Sequence, residues 1–214
     1  MITKGIIFDL DGVVVFTDHF HYLAWKAIAD KEGIYFDEVI NNRLRGVSRM
    51  ESLEIILERA HKTYRYEEKI ALAEYKNALY RQYLADMSEK DVSPDVRKFL
   101  ATMRTKGYKL AIASSSKNAQ FIVDKVAIRS LFDVIVDGND ITHSKPHPEV
   151  FLTAAERLEL KPEDCIVVED AEAGIDAANI AGFLSAGIGQ AAKYVKTDIR
   201  LRALTDLATY LKFA

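Results

Sequence analysis

The sequence predicts a doubly wound α/β fold with a mostly parallel sheet and a helical bundle inserted after the first strand. Three observations carry this. Short apolar runs recur at residues 5–10, 109–113, 134–136, 165–168 and 184–188. From residue 92 onward they alternate with helical patterns, as βα units do. Between about 18 and 91 the alternation stops, and apolar positions fall at helical spacing alone.

The first run, Gly-Ile-Ile-Phe-Asp-Leu-Asp-Gly, reads as a buried parallel strand that ends in acid. Phe20, Leu23, Ala24, Ala27 and Ile28 then mark one helical face. Ser48-Arg49-Met50-Glu51 is a capping box, in which the Ser48 hydroxyl and the Glu51 carboxylate satisfy each other's backbone amides. Leu53, Ile56, Leu57 and Ala60 continue that helix. Residues 66–87 are charged and tyrosine-rich, with Ile70, Ala73, Leu79 and Tyr83 expected to face inward. Ser93-Pro94 supplies an N-cap and a proline at the first helical position, before Val96, Phe99, Leu100 and Met103. Further helices are expected around Phe121, Ile122, Lys125 and Val126, over 148–158, and over 173–181. The expected division is 1–16 with 92–214 for the sheet domain and 17–91 for the insert. No internal repeat or low-complexity tract interrupts it.

Composition excludes several classes. The 214 residues carry 29 Lys plus Arg against 32 Asp plus Glu, a net charge of −3, which gives no electrostatic footprint for nucleic acid or an anionic membrane. A hydrophobic fraction of 49% rules out intrinsic disorder. The one cysteine, Cys165, lies in an apolar run and is expected to be a buried structural thiol; alone it makes neither an internal disulfide nor a cysteine zinc site. No apolar run approaches the ~20 residues of a membrane span, and no signal-type segment opens the chain. The expectation is a cytoplasmic monomer acting on a small molecule.

The chemistry is expected at the strand tips. Asp9 and Asp11 stand two residues apart, so an extended backbone aims both to one side, at the carboxyl edge where open α/β sheets bind ligands. Two such carboxylates need a cation or a shared proton to coexist. Magnesium suits them, as an ion that takes oxygen ligands and bridges to phosphate; one of them can instead attack phosphorus. Taken alone, Asp-Leu-Asp-Gly is also ordinary turn chemistry. Three further tips join it. The run ending at Ala113 opens into Ser114-Ser115-Ser116-Lys117-Asn118, a hydroxyl-rich turn able to hold phosphate. Lys145-Pro146 follows the third strand, and Glu169-Asp170 ends the fourth. Each has a bland alternative (an N-cap serine, a surface lysine, a helix-terminal acid), but four at successive tips point to one crevice.

Asp9-Leu10-Asp11-Gly12, Ser114, Lys145-Pro146 and Glu169-Asp170 resemble, in order, the four motifs of the haloacid dehalogenase-like superfamily. That resemblance covers nearly the whole chain and implies a Rossmann-like core with a helical cap. Within it the chain is similar to the β-phosphoglucomutase family. Residues 44–53 look like that family's specificity loop, and His21, Trp25-Lys26, Lys76-Asn77 and Ser114 to Asn118 match its other signatures. Phe16 departs from the pattern, which commonly has Asp before Thr17; the departure bears on cap closure rather than on chemistry.

The resemblance implies a role for each matched residue. Asp9 attacks phosphorus and Asp11 is general acid and base. Ser114 and Lys145 hold the transferring phosphoryl oxygens. Magnesium is held by Asp9, Asp170 and the Asp11 backbone carbonyl, with Glu169 either touching the ion or one bond removed. Thr17, His21, Trp25, Gly46, Val47, Ser48, Arg49, Ser52 and Lys76 on the cap side, and Ser115, Ser116, Lys117 and Asn118 on the core side, bind substrate. The implied reaction interconverts β-glucose 1-phosphate and glucose 6-phosphate, with β-glucose 1,6-bisphosphate as intermediate and primer. Two other readings stand beside it: a sugar-phosphate phosphatase with the same phosphoenzyme, and a catalytically silent binding module. Trp25 could equally be cap core, and Lys76 a solvated helix residue.

Overall fold

The computed structural model describes residues 3–211. Six parallel strands form one sheet in the order β3-β2-β1-β4-β5-β6. They are β1 (Gly5–Phe8), β2 (Lys109–Ala113), β3 (Val134–Val136), β4 (Cys165–Glu169), β5 (Leu184–Gly187) and β6 (Ile199–Arg200). The side-chain period of two divides the sheet into two apolar faces. Ile6, Phe8, Leu110, Ile112, Ile166 and Val168 pack on one, while Ile7, Ala111, Ala113 and Val167 pack on the other with Cys165.

Helices cover both faces. Phe99, Leu100 and Met103 of α5 (Pro94–Thr105) and Ile122 and Val123 of α6 (Ala119–Lys125) close the first. Val150, Phe151 and Ala154 of α7 (Glu149–Arg157), with Ala177 and Ala178 of α8 (Glu172–Ile180), close the second. The Ser93 hydroxyl caps α5 by accepting from the Val96 amide at 3.2 Å, as its sequence predicts. Cys165 is buried, and burial pushes its thiol up to about 12.

The insert consists of α1 (Asp18–Glu32), α2 (Glu38–Asn42), α3 (Arg49–Leu57) and α4 (Tyr66–Leu84). The Ser48–Glu51 capping box is formed in full. Trp25, Ile28, Phe36, Leu53, Ile56 and Leu72 belong to an apolar cluster of the insert's own, whereas Ala24, Tyr80 and Leu84 at its foot join the cluster on the sheet. The inward face of α4 is wider than expected. Ala73 is buried, Leu79 and Tyr83 pack half-buried against the sheet cluster and Ile70 lines a cavity, as expected, but Leu72, Lys76, Tyr80 and Leu84 are buried as well. The polar face of α4 turns inward at Lys76 because a cavity lies there. Two short elements had no sequence signal: β6, of two residues, and α2, whose first turn is held by the Asp37 carboxylate accepting from the Ile40 amide at 2.9 Å. Among the described residues no helix is long and apolar enough to cross a membrane.

Candidate active site

The sheet order reverses direction between β1 and β4, the switch point where open α/β sheets bind ligands. Asp9 leaves β1 there, its amide still donating to the Val168 carbonyl at 2.9 Å. The chain then turns through Gly12, which has φ +82° and lies so close to β4 that any side chain would overlap the Asp170 carboxylate. Only glycine fits that turn.

Lys145 is wholly buried beneath the tips. Its Nζ donates to Asp9 Oδ1 at 2.6 Å, to Glu169 Oε1, and to the Ala113 carbonyl at 3.3 Å. Burial opposes its charge, but the Asp9 and Glu169 carboxylates more than offset this and hold the ammonium above the ordinary lysine range. Glu169 Oε2 accepts from the Ala171 amide at 2.9 Å, so both its oxygens are engaged within the protein.

The acids carry strain of the electrostatic kind. Burial, together with the Glu169 charge, raises the pKa of both Asp9 and Asp170. Ligand atoms of Asp9, Glu169 and Asp170 lie within 4.8 Å of one another. An all-oxygen set of buried, mutually repelling carboxylates fits magnesium. The Asp11 carboxylate is outside this group. It accepts from the Thr17 hydroxyl, which also meets Tyr80 Oη at 2.9 Å, and burial pushes its pKa up to about 6.

Above this floor lies a cavity of about 500 Å³, the size of a small-ligand site. The insert lines its roof with His21, Trp25, Gly46, Val47, Ser48, Arg49, Ser52 and Lys76. The core contributes Asp9, Asp11, Ser114, Ser115, Ser116, Lys117, Asn118 and Asp170. Thr17, Lys145 and Glu169 stand behind the wall, Thr17 bonded to Asp11, Lys145 to Asp9, and Glu169 to Lys145. Every site residue expected from the sequence is therefore at this one place.

In the roof, Lys76 Nζ is 2.8 Å from His21 Nδ1 and stands over the rings of Trp25 and Tyr80 at 4.9 and 4.5 Å. Far from being solvated, Lys76 is 2% exposed. Burial and then the Arg49 charge lower its pKa well below the lysine range. Burial, Lys76, Arg49 and Arg45 similarly keep His21 neutral. The other ring nitrogen, Nε2, lies 4.0 Å from Asp11 Oδ2. Trp25 is both insert core and cavity wall. Arg49 makes no ion pair among the described residues, and on the core side the Ser115 hydroxyl is buried without a partner. Both are available to an anionic ligand.

Roof and floor are tied by contacts that include Arg45 to Asp170 at 2.7 Å, Asn118 Nδ2 to Asn77 Oδ1 at 2.9 Å, and the Ser144 hydroxyl to Glu51. The sequence reading singled out neither Asp18 nor Ser144, and quoted Arg45 only as part of the loop. The Asp18 carboxylate pairs with Arg45, 27 residues on, at 2.6 Å, a contact no local pattern signals.

A buried lysine bonded to one of two aspartates at the tip of the central strand, with a second acid pair beside it, defines a phosphoryl-transfer site. The family model for haloacid dehalogenase-like hydrolases matches residues 3–182, and the chain belongs to that family. Among its relatives, a β-phosphoglucomutase of Bacillus subtilis is 41% identical over 97% of this chain and 93% of its own. A phosphorylated carbohydrates phosphatase of Thermotoga maritima is 31% identical over 84% and 82%. The crystal structure of a β-phosphoglucomutase from Clostridium difficile superposes with a TM-score of 0.90 at 37% identity, covering 96% of this chain and 93% of that one.

Proposed function

We propose that the chain is a β-phosphoglucomutase, interconverting β-D-glucose 1-phosphate and glucose 6-phosphate through an aspartyl phosphate and β-glucose 1,6-bisphosphate. One observation carries the reading: a nucleophile-type aspartate held by Lys145 shares one cavity with the Arg49 guanidinium of the insert. A phosphatase needs one phosphate grip, whereas a mutase needs two. The 41% identity with the Bacillus subtilis enzyme supports the same choice.

In this mechanism residues 17–91 act as the cap. The sugar hydroxyl attacks phosphorus on phosphorylated Asp9, the Asp9 O–P bond breaks, and Asp11 takes the hydroxyl proton. After the bisphosphate turns around, Asp9 attacks the other phosphorus and Asp11 returns the proton to the departing oxygen. A carboxyl near pKa 6 can do both at neutral pH. Thr17 fixes Asp11 Oδ1 and neutral His21, steadied by Lys76, faces Oδ2. Lys145, Ser114 and the unpartnered Ser115 hydroxyl receive the equatorial phosphoryl oxygens, where charge spreads in the transition state. Arg49, with Ser116, Lys117 and Asn118, grips the phosphate that is not reacting; a guanidinium does this with two parallel bonds. Roof-to-floor contacts exclude water from the aspartyl phosphate.

Asp9 and Asp170, with the Asp11 carbonyl, would hold magnesium. Glu169 would orient the set through Lys145 and the Ala171 amide. When bound, the ion would supply positive charge that offsets the repulsion between Asp9 and the phosphate. The enzyme works as a cytoplasmic monomer, primed by β-glucose 1,6-bisphosphate.

The test is a product assay with β-glucose 1-phosphate, magnesium and trace bisphosphate, using the α-anomer as control. Glucose 6-phosphate from the β-anomer alone is expected. Stoichiometric free phosphate would favour the phosphatase, and no turnover of either kind a silent module.

A further inference from the structure

The loop joining β3 to α7 carries a second cluster that does not line the cavity. It comprises His143, His147 and Glu149, each offering a ligand atom within 4.8 Å of the others. His143 Nδ1 lies 3.0 Å and His147 Nδ1 3.9 Å from the same oxygen, Glu149 Oε2. The two imidazole centroids are 4.6 Å apart.

The cluster is held ready. Glu149 Oε1 accepts from the Thr142 amide and Oε2 from the His143 amide, both at 2.8 Å. His147 sits between Pro146 and Pro148, whose rings fix the backbone on either side. The Glu149 amide donates to His147 Nδ1 at 3.3 Å, which marks Nδ1 as the unprotonated nitrogen; an incoming ion takes the place of this long bond. Both imidazoles are more than half exposed, which leaves room for water to complete a coordination shell.

The geometry points to a second metal site, formed by His143, His147 and Glu149, for a divalent transition ion of the zinc class. Ligand atoms around tetrahedral zinc stand about 3.3 Å apart, given bonds of ~2.0–2.1 Å, and the observed 3.0 and 3.9 Å bracket that spacing. Two imidazoles and a carboxylate select zinc, nickel, cobalt or copper over magnesium, whereas the all-oxygen acids at Asp9 do the reverse. The two clusters thus sort cations by donor chemistry. The three ligands straddle Ser144, which meets Glu51 of the insert, and Lys145, which holds Asp9. An ion there clamps the segment that carries both.

The experiment titrates zinc, in excess magnesium, into the wild type, His147→Gln and the His143→Gln/His147→Gln double variant. Calorimetry should give one more zinc per chain in the wild type than in the double variant, and at least about tenfold weaker binding in the single variant. The cobalt-loaded wild type should show a visible band of nitrogen-ligated tetrahedral metal that the double variant lacks. Zinc should slow amide exchange over 142–149 in the wild type alone. Magnesium-dependent turnover without zinc should be unchanged in both variants, which also reports an intact fold. Equal zinc stoichiometry and affinity in wild type and double variant would overturn the site. Loading without slower exchange would overturn the clamp.

Discussion

Arg45 reaches down from the insert and places Nη1 2.7 Å from Asp170 Oδ2. Its other terminal nitrogen pairs with Asp18 at 2.6 Å, while its Nε is buried without a partner. The guanidinium therefore neutralises a carboxylate that burial and its neighbours make reluctant to ionise. It does so with a positive charge on a carboxylate that a divalent ion would use. Arg45 and magnesium compete for Asp170 on this geometry. Arg45→Ala should bind magnesium more tightly, by about fivefold, the scale of one partly exposed ion pair of ~1 kcal/mol. Isothermal titration of the two proteins decides it; unchanged or weaker binding would rule the competition out.

Asp9→Asn should abolish turnover while preserving the fold, because an amide oxygen neither attacks phosphorus effectively nor keeps its full charge beside Lys145. A coupled assay for glucose 6-phosphate measures the loss. Acid-quenched wild type should carry a phosphoryl adduct on the peptide containing Asp9. An active variant, or an adduct elsewhere, would reassign the nucleophile.

Arg49→Ala should separate the two halves of the reaction. Charge-assisted bonds are worth ~1.5–3 kcal/mol, so mutase turnover should fall by about tenfold or more. Hydrolysis of a small phosphate ester, which has no second phosphate to grip, should change far less. Equal losses would remove Arg49 from substrate recognition.

Lys76→Met should trade activity for stability. The lysine is buried against aromatic faces, and its pKa is lowered by desolvation and by Arg49. Between that lowered value and the unfolded one, the unfolded chain binds more protons than the native. Native stability of the wild type therefore rises with pH across that window. The methionine variant should be more stable at neutral pH by about 1–2 kcal/mol, and the gap should narrow as pH rises toward the ordinary lysine pKa. Denaturant melts at several pH values read this directly. A gap that widens with pH would show that Lys76 is not carrying the burden.

What was legible in the sequence was whatever a local pattern encodes. Asp9, Ser114 and Glu169 stand where apolar runs end, Lys145 follows the third run after the loop 137–144, and parallel strands bring successive tips to one edge. The Ser48–Glu51 box could be read because both partners sit within one turn. The inward face of α4 could be read only in part. Its apolar periodicity is weak, and Lys76 points into the interior only because α1 and α3 leave a ligand cavity there. The Arg45–Asp18–Asp170 bridge was hidden for a related reason: its members lie far apart in sequence, and each has an ordinary local explanation. Two-residue β6 is too short to have any period at all.

The insert's apolar cluster, from Trp25 to Ala73, shares no residue with either cluster on the sheet. Drift inside that upper compartment can reshape which sugar is admitted without disturbing the strands that position the reacting oxygens. Selectivity and chemical competence are thereby free to evolve at different speeds within a single polypeptide.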